Sequence, residues 1–299
     1  MLKRQAIQKI YIASLALFIV FLISLFPNNQ KNNYEEIINI KEEKTMPIYS
    51  LDKNNYVARI SVIKEDSEIV PYIISLLTIN SQKASYLPSF FKPIIPENTK
   101  IINYDISDGT LKINFSKEFL NIKAKDEEKL IETLVYSLCE QEEIKNIIIF
   151  VEGEILDKLP SSNKSLNIPL DRQIGINKVY DVSNFKNIKQ TTVYYANKVD
   201  EDLYYIPITK ISNENASKVE IIVNELKKVP IYQTNLISFL NAAYELSNYE
   251  ILENKITLSF NNKLIAGLKE DENIEEVKYT LALSLRDTYN LDNIVINIA

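Results

Sequence analysis

Alternating apolar and polar residues in the middle of the chain predict a β-hairpin. Residues 100–106 alternate in character, Asp108-Gly109 supplies the positive backbone dihedrals of a tight turn, and residues 111–115 alternate again. Both predicted strands place their apolar side chains on one face. The pattern therefore predicts a sheet with one buried side.

A helix and a buried strand are predicted after this hairpin. Apolar residues recur at helical spacing over residues 126–140, and acids at 126–128 occupy the first turn, where carboxylates favour the helix dipole. A short turn then leads into the apolar strand 147–151. Because a helix that buries one stripe has to cover a sheet face, the segment is predicted to be a small layered α+β unit.

The second half of the chain repeats this unit. Positions of the hairpin recur 145 residues later, and positions of the helix and last strand recur 147 residues later. The pairs join Tyr104, Ile106, Gly109, Leu111, Ile113 and Phe115 to Tyr249, Ile251, Asn254, Ile256, Leu258 and Phe260, and Thr133, Leu134, Ser137, Leu138, Asn146, Ile147 and Ile149 to Thr280, Leu281, Ser284, Leu285, Asn293, Ile294 and Ile296. A repeat of about one hundred residues is a whole domain.

The beginning of each copy is interpreted as a second hairpin. An offset of 136 pairs Val57 with Val193 and Pro71 with Pro207. On this alignment, the predicted strands of the first copy are residues 57–62 and 69–77. Those of the second copy are residues 193–196 and 203–208.

One further helix is predicted clearly only in the second copy. Val219, Ile222, Val223 and Leu226 form an apolar stripe, for which the region of Asn213 and Asn215 offers candidate N-caps. In the first copy, residues 86–91 suggest a shorter or later helix, because Pro88 interrupts the pattern.

An uncharged apolar run near the N-terminus predicts a transmembrane helix. Residues 10–26 comprise seventeen positions without a charge, preceded by Lys3, Arg4 and Lys9. Basic residues on that side predict a single-pass membrane protein whose bulk is extracytoplasmic. A cleaved signal peptide and a buried core helix are the alternatives, although no small-residue cleavage site follows Phe26.

The predicted fold class is α+β, with a transmembrane helix followed by two tandem small layered α/β domains. The anchor covers residues 1–30, a stalk 31–55, the first domain 56–160, a linker 161–189 and the second domain 190–299. Between the copies, only apolar and turn positions are found to repeat. Catalytic modules would more readily keep a polar cluster, so this pattern favours two scaffolding units.

Composition and charge exclude several function classes. A net charge of -6 and a pI near 5.1 argue against a nucleic-acid partner. The chain has no histidine and four scattered glycines, which removes histidine triads, histidine metal ligands and phosphate-binding glycine loops. The single cysteine, Cys139, is expected to be a small buried hydrophobe. We therefore predict no enzyme activity, and no catalytic, cofactor-binding or metal-binding residues.

Three local patterns contain residue types that can act in catalysis or in domain contacts. Ser161 and Lys164 fit an S-x-x-K motif, but several other Ser/Lys pairs fit it as well, and no K-T-G or S-D-N accompanies them. The acids at 126–128 are better explained as a helix start than as a glycosidase pair. Asp171-Arg172 in the linker could pin the two domains together, or could lie on an exposed loop.

Four segments resemble the GerMN domain family of sporulation and germination proteins. They are DGTLKINFSKEFL (108–120), EEKLIETLVYSL (127–138), IKNIIIFVEGE (144–154) and PLDRQIGIN (169–177), and the second copy is similar from residue 193 onward. The resemblance implies a non-enzymatic, membrane-anchored protein of the space between mother cell and forespore. It also implies domains similar to ring-building motifs, which pack side by side or bridge other envelope proteins.

The chain departs from that family in its anchor and in the divergence of its second copy, where only the hydrophobic frame persists, and three functions stay open. The best-known family member is held by a lipid on an N-terminal cysteine, whereas here no cysteine precedes Cys139. The favoured function is a scaffold that binds other envelope or sporulation-complex proteins, through the edge strands of its sheets. A peptidoglycan-binding module is the alternative, with tyrosines as stacking faces, and a solute receptor is a third possibility.

Overall fold

The computed structural model describes residues 45–199, 202–228, 235–240, 245–261, 271–291 and 293–298, and both halves of the chain contribute to its central sheet. Strands β1 (Thr45–Asp52) and β2 (Val57–Ile63) of the first half form one antiparallel hairpin. Strands β9 (Lys189–Val199) and β10 (Asp202–Ser212) of the second half form another. The hairpins meet where Arg59 of β2 pairs with Tyr205 of β10. The strands of this sheet are β1 (Thr45–Asp52), β2 (Val57–Ile63), β3 (Phe91–Lys92), β8 (Val179–Asp181), β9 (Lys189–Val199) and β10 (Asp202–Ser212).

Each half also has a smaller sheet, built as the sequence predicts. Each of these sheets consists of an antiparallel hairpin and a third strand that pairs in parallel with the second strand of the hairpin. A crossover helix connects the hairpin to this third strand. The first sheet contains β4 (Ile101–Ser107), β5 (Thr110–Phe115), β6 (Asn146–Val151) and the short β7 (Glu154–Ile155). The second contains β11 (Leu246–Leu252), β12 (Lys255–Phe260) and β13 (Asn293–Ile298).

Four α-helices lie in the described ranges: α1 (Ile69–Leu77), α2 (Glu127–Leu138), α3 (Lys218–Lys227) and α4 (Asp271–Tyr289). The predicted helices of the two crossovers are confirmed as α2 and α4, and the predicted helix of the second copy is confirmed as α3. The cap of α3 is Ser217, which forms a capping box with Glu220, rather than a residue near Asn213.

The prediction that residues 69–77 form a strand is wrong, because they form α1. Apolar residues occupy nearly every position of this segment, so its periodicity cannot separate a buried strand from a buried helix. Pro71 falls in the first turn, where a helix tolerates a missing N–H. The short helix predicted near residues 86–91 is instead a 3₁₀ turn at Gln82–Tyr86.

The upstream alignment of the two copies also needs correction. The backbone N–H of Tyr49 donates to Ser137 Oγ at 2.9 Å, and the N–H of Tyr194 donates to Ser284 Oγ at 2.9 Å. Tyr49 therefore matches Tyr194 at an offset of 145, and the pairing of Val57 with Val193 is wrong. Strand β1, at Thr45–Asp52, lies in the segment predicted as a stalk, so the first folded unit begins before residue 56.

The predicted transmembrane helix is not supported. Residues 10–26 lie outside the described residues, and within the described ranges no helix is long and apolar enough to cross a membrane. The fold class is corrected to a mixed α/β architecture with two tandem domains. The strands and helices of both halves pack into one compact unit with a continuous core.

Candidate functional site

The glutamate after helix α2 is surrounded by three arginines from different parts of the fold. Arg59 of β2 donates to the Glu140 carboxylate from Nε at 3.3 Å and from Nη2 at 3.2 Å. Arg286 of α4 donates from Nη1 at 3.0 Å and from Nη2 at 2.8 Å, and Arg172 donates from Nη1. The side chains of Arg59 and Glu140 are 1% and 2% exposed. Both halves of the chain thus meet at a buried carboxylate.

A second buried carboxylate comes from the other half. Asp287 of α4 pairs with Arg172 Nη2 at 2.8 Å and with Arg286 Nε at 3.3 Å, and it accepts a hydrogen bond from the Tyr194 hydroxyl. Arg172 therefore bridges an acid of the first half and an acid of the second. We call Arg59, Glu140, Arg172, Arg286 and Asp287 the charge centre.

The interpretation of Asp171-Arg172 as a pin is confirmed for the arginine only. A short 3₁₀ turn, Arg172–Ile174, directs the Arg172 side chain into the charge centre, where it is 11% exposed. The Asp171 carboxylate starts this turn by accepting the N–H of Gln173 at 2.8 Å. Asp171 thus fixes the backbone that carries Arg172.

Tyrosines from the two halves meet at the charge centre. The hydroxyls of Tyr49 and Tyr194 lie 2.7 Å apart, and Arg172 Nη2 donates to them at 2.7 and 3.1 Å. The Arg172 guanidinium carbon lies 4.7 Å from the ring centroid of Tyr136 and 5.4 Å from that of Tyr49. Such cation–π contacts stabilise a guanidinium that has lost its water.

The polar residues of this interface repeat between the copies. Tyr49, Ser137 and Glu140 of the first half correspond to Tyr194, Ser284 and Asp287 of the second. The conclusion that no polar cluster repeats is therefore wrong. The offset of 147 that matches Ser137 with Ser284 also matches Glu140 with Asp287, so both acids lie inside the segment that the repeat already aligns.

Electrostatics keep Glu140 and the two tyrosines beside it in one protonation state. Burial raises the pKa of the Glu140 carboxyl, but Arg286, Arg172 and Arg59 outweigh this effect and hold the pKa well below its ordinary value. Burial raises the pKa of the Tyr49 and Tyr194 hydroxyls. Near neutral pH Glu140 is charged and the two tyrosines are neutral. This geometry suits a rigid joint better than proton transfer.

The residues of the S-x-x-K motif, the acids at 126–128 and Cys139 contribute to the fold through ion pairs, hydrogen bonds and packing. Lys164 Nζ lies 2.8 Å from Glu128 Oε1 in an exposed ion pair, and Ser161 donates its backbone N–H to Glu127. The acids of this segment start α2, as predicted. Cys139 packs against the core, and burial raises the pKa of its thiol to about 12. In the described ranges, no group of three or more His, Cys, Asp or Glu side chains is placed to hold a metal ion.

Comparisons with known proteins agree with this architecture. The sequence model of the family described as "Germane: Sporulation and spore germination" matches residues 47–157. The chain is similar to the spore germination protein GerM of Bacillus subtilis, with 26% identity over 258 residues, which cover 84% of this chain and 70% of that protein. The solved tandem GerMN domains of the sporulation protein GerM from the same organism match with a TM-score of 0.75 and 25% identity, covering 85% of this chain and 90% of that one.

The match of the solved tandem spans both halves of the chain, while the sequence model covers the first. The duplicated hairpin, crossover helix and parallel strand account for this likeness. Residues 47–157 therefore match the GerMN domain family, and the two halves together resemble its tandem arrangement in sequence and fold.

Proposed function

We propose that this chain is a non-enzymatic interaction protein, a scaffold in an envelope assembly of sporulation or spore germination. Its similarity to GerM supports a role in spore germination. The scaffold role is more specific than this similarity implies, and the charge centre is the observation that supports it. Location in the cell envelope, outside the cytoplasm, is part of the proposal.

The observation that carries this proposal is the bridging position of Arg172. Its guanidinium contacts Glu140 of the first domain and Asp287 of the second, and both acids are almost fully buried. Buried, paired charges fix one arrangement, because any other arrangement leaves a charge without a partner. Two domains of fixed orientation can hold two partners at a set spacing, as a scaffold requires.

The proposal is tested in the organism that produces this chain. We expect deletion of the gene to lower the yield of heat-resistant or germination-competent spores, and expression of the wild-type chain to restore it. Photo-crosslinking groups at exposed positions such as Asn224 should capture specific envelope proteins from sporulating cells. Normal sporulation and germination after deletion would overturn the role.

Sedimentation of the purified chain with peptidoglycan separates the scaffold from a wall-binding module. We expect the chain to stay in the supernatant at all wall concentrations. Saturable co-sedimentation, competed by soluble wall fragments, would replace the scaffold by the wall module.

A further inference from the structure

The outer strands of the two smaller sheets present the same exposed tetrapeptide. Asn103-Tyr104-Asp105-Ile106 in β4 corresponds to Asn248-Tyr249-Glu250-Ile251 in β11 at an offset of 145. Both strands also have a register irregularity just before this tetrapeptide, between Ile101 and Asn103 and between Leu246 and Asn248. The two copies thus keep a sequence and a bulge at the same place.

Packing explains only part of this repeat. Tyr104, Ile106 and Tyr249 are partly buried against the core, which accounts for the aromatic and apolar positions. The acid between them, Asp105 in one copy and Glu250 in the other, is exposed, and no ion pair satisfies it in the described part of the chain. An exposed acid kept between two duplicated copies points to a surface with a common use.

Both strands have a free hydrogen-bonding edge. In the described sheets, β4 pairs only with β5 and β11 pairs only with β12. Hydrogen-bonded and non-hydrogen-bonded pairs alternate from the two-residue turns at Asp108-Gly109 and Glu253-Asn254. The N–H and C=O groups of the motif's Tyr and Ile therefore face the open edge, ready to pair with another strand.

The second edge also borders a groove suited to side chains of an added strand. A cavity of about 470 Å³ lies between α3 and β11. Val223, Leu246 and Tyr249 supply its apolar surface, and the charged residues on its wall are Glu220, Glu245 and Lys227. A strand added to β11 would direct alternate side chains towards this groove, as in peptide recognition by strand addition.

From these features, we infer that the NY-acid-I edges, and β11 above all, bind an extended segment of another protein that alternates apolar and basic residues. This inference rests on the proposed scaffold function and specifies its partner. The residues opposite the motif's Tyr and Ile would be apolar, and the residue opposite Glu250 would be Lys or Arg. A cross-strand pair of opposite charge stabilises such an addition.

Charge argues against a second copy of this chain as the occupant. An antiparallel register that aligns two motifs places Asp105 or Glu250 opposite another acid, which is destabilising. The two edges also differ in charge. On β5, Lys112 stands opposite Asp105, whereas on β12 the uncharged Thr257 stands opposite Glu250. The β11 edge should therefore bind a basic strand more tightly than the β4 edge.

Fluorescence anisotropy of a labelled nine-residue peptide of alternating valine and lysine tests the inference on the purified chain. We expect saturable binding that Glu250→Lys weakens by about fivefold or more and Asp105→Lys weakens by less. The matched control Asp157→Lys changes an exposed acid just after β7, at the opposite edge of the first small sheet from β4, and should leave the affinity unchanged. Equal losses in Asp157→Lys and Glu250→Lys would show general charge attraction and overturn the inference.

Backbone variants test strand pairing itself. Ile251→Pro removes an N–H that faces the open edge and leaves the pairing with β12 intact, so it should abolish binding. Ile251→Ala, its control, should change the affinity by less than about threefold. A peptide N-methylated at alternate residues on its pairing edge should not bind. This peptide makes the same test if Ile251→Pro does not fold.

Three further outcomes would overturn the inference: no peptide binding, equal binding of the N-methylated peptide, or self-association of the chain that Ile251→Pro abolishes. The last outcome would make a second copy the occupant. Failure of the peptide assay with normal crosslinking to envelope proteins would remove this surface and leave the scaffold function standing. Normal sporulation and germination after deletion of the gene, together with intact peptide binding, would remove the scaffold function and leave the binding surface standing.

Discussion

The two domains contribute a shared set of polar residues to their interface and differ in the arginines that surround it. Each supplies a tyrosine, a serine and an acid, but the residue before the acid is Cys139 in the first domain and Arg286 in the second. The interface buries two carboxylates, Glu140 and Asp287, which both contact Arg172 and would repel each other without cations between them. Arginines from non-equivalent places, β2, the linker and α4, neutralise them. Duplication thus built the interface, and asymmetric substitution stabilised it.

The largest expected effect comes from removing the acid that all three arginines share. Glu140→Gln leaves Arg59 without an acid and Arg172 and Arg286 with only Asp287, and should lower the free energy of unfolding by about 3–5 kcal/mol. Asp287→Asn is the matched variant, and should cost less because Glu140 still accepts from all three arginines. Urea denaturation measures both. An equal loss in the two variants would contradict the special position of Glu140.

Removing the bridging arginine should have a smaller effect. Arg172→Met breaks the contacts to both acids but leaves two arginines with two acids, so the loss should be about 2–3 kcal/mol. The exposed Lys164, which pairs with Glu128, provides the control, and Lys164→Met should cost less than about 1 kcal/mol. If denaturation shows similar losses for the two, Arg172 does not join the domains energetically.

Acid should weaken the interface through Glu140. Because its pKa is lowered in the folded state from an ordinary value near 4.5, the stabilisation is complete above that value and is lost as the pH falls towards the folded-state pKa. Each pH unit below about 4.5 should cost up to about 1.4 kcal/mol through this one group. Denaturation midpoints between about pH 7 and pH 3 measure the slope. Glu140→Gln should flatten it, and an unchanged slope would exclude this carboxylate as its source.

The smallest effects should be equal in the two copies. Ser137→Ala and Ser284→Ala each remove the acceptor for a buried tyrosine N–H, and each should cost about 1–2 kcal/mol. Thermal unfolding of both variants checks this symmetry. A difference of more than about 1 kcal/mol would show that the copies no longer use the serine in the same way.

The hairpins and crossovers could be predicted because local patterns determine them. Asp108-Gly109 marks a turn, and the stripes of α2 and α4 have clear helical spacing. Helix α1 could not be distinguished from a strand, because nearly all of its residues are apolar. The residues of β1 do not alternate clearly between apolar and polar, and a polar segment precedes them. The sequence pattern therefore predicts a stalk where the strand lies.

The charge centre could be predicted only in part, since it depends on tertiary structure. Arg172 stood out as a possible link between the domains, but nothing local to Arg59 or Glu140 indicates that a charged residue there is buried. These side chains meet because β2 and the end of α2 pack against α4 of the other half. The internal repeat held the one usable signal, the match of Glu140 with Asp287.

The account rests on the claim that the charge centre holds the two domains in one orientation. The most direct test is the distance distribution between spin labels at Glu128→Cys in α2 and Asn224→Cys in α3, in a chain with Cys139→Ser, measured by pulsed electron paramagnetic resonance. We predict a single narrow distribution that broadens when Glu140→Gln is added. A broad distribution before Glu140→Gln is introduced, or a narrow one that this substitution leaves unchanged, would contradict the claim.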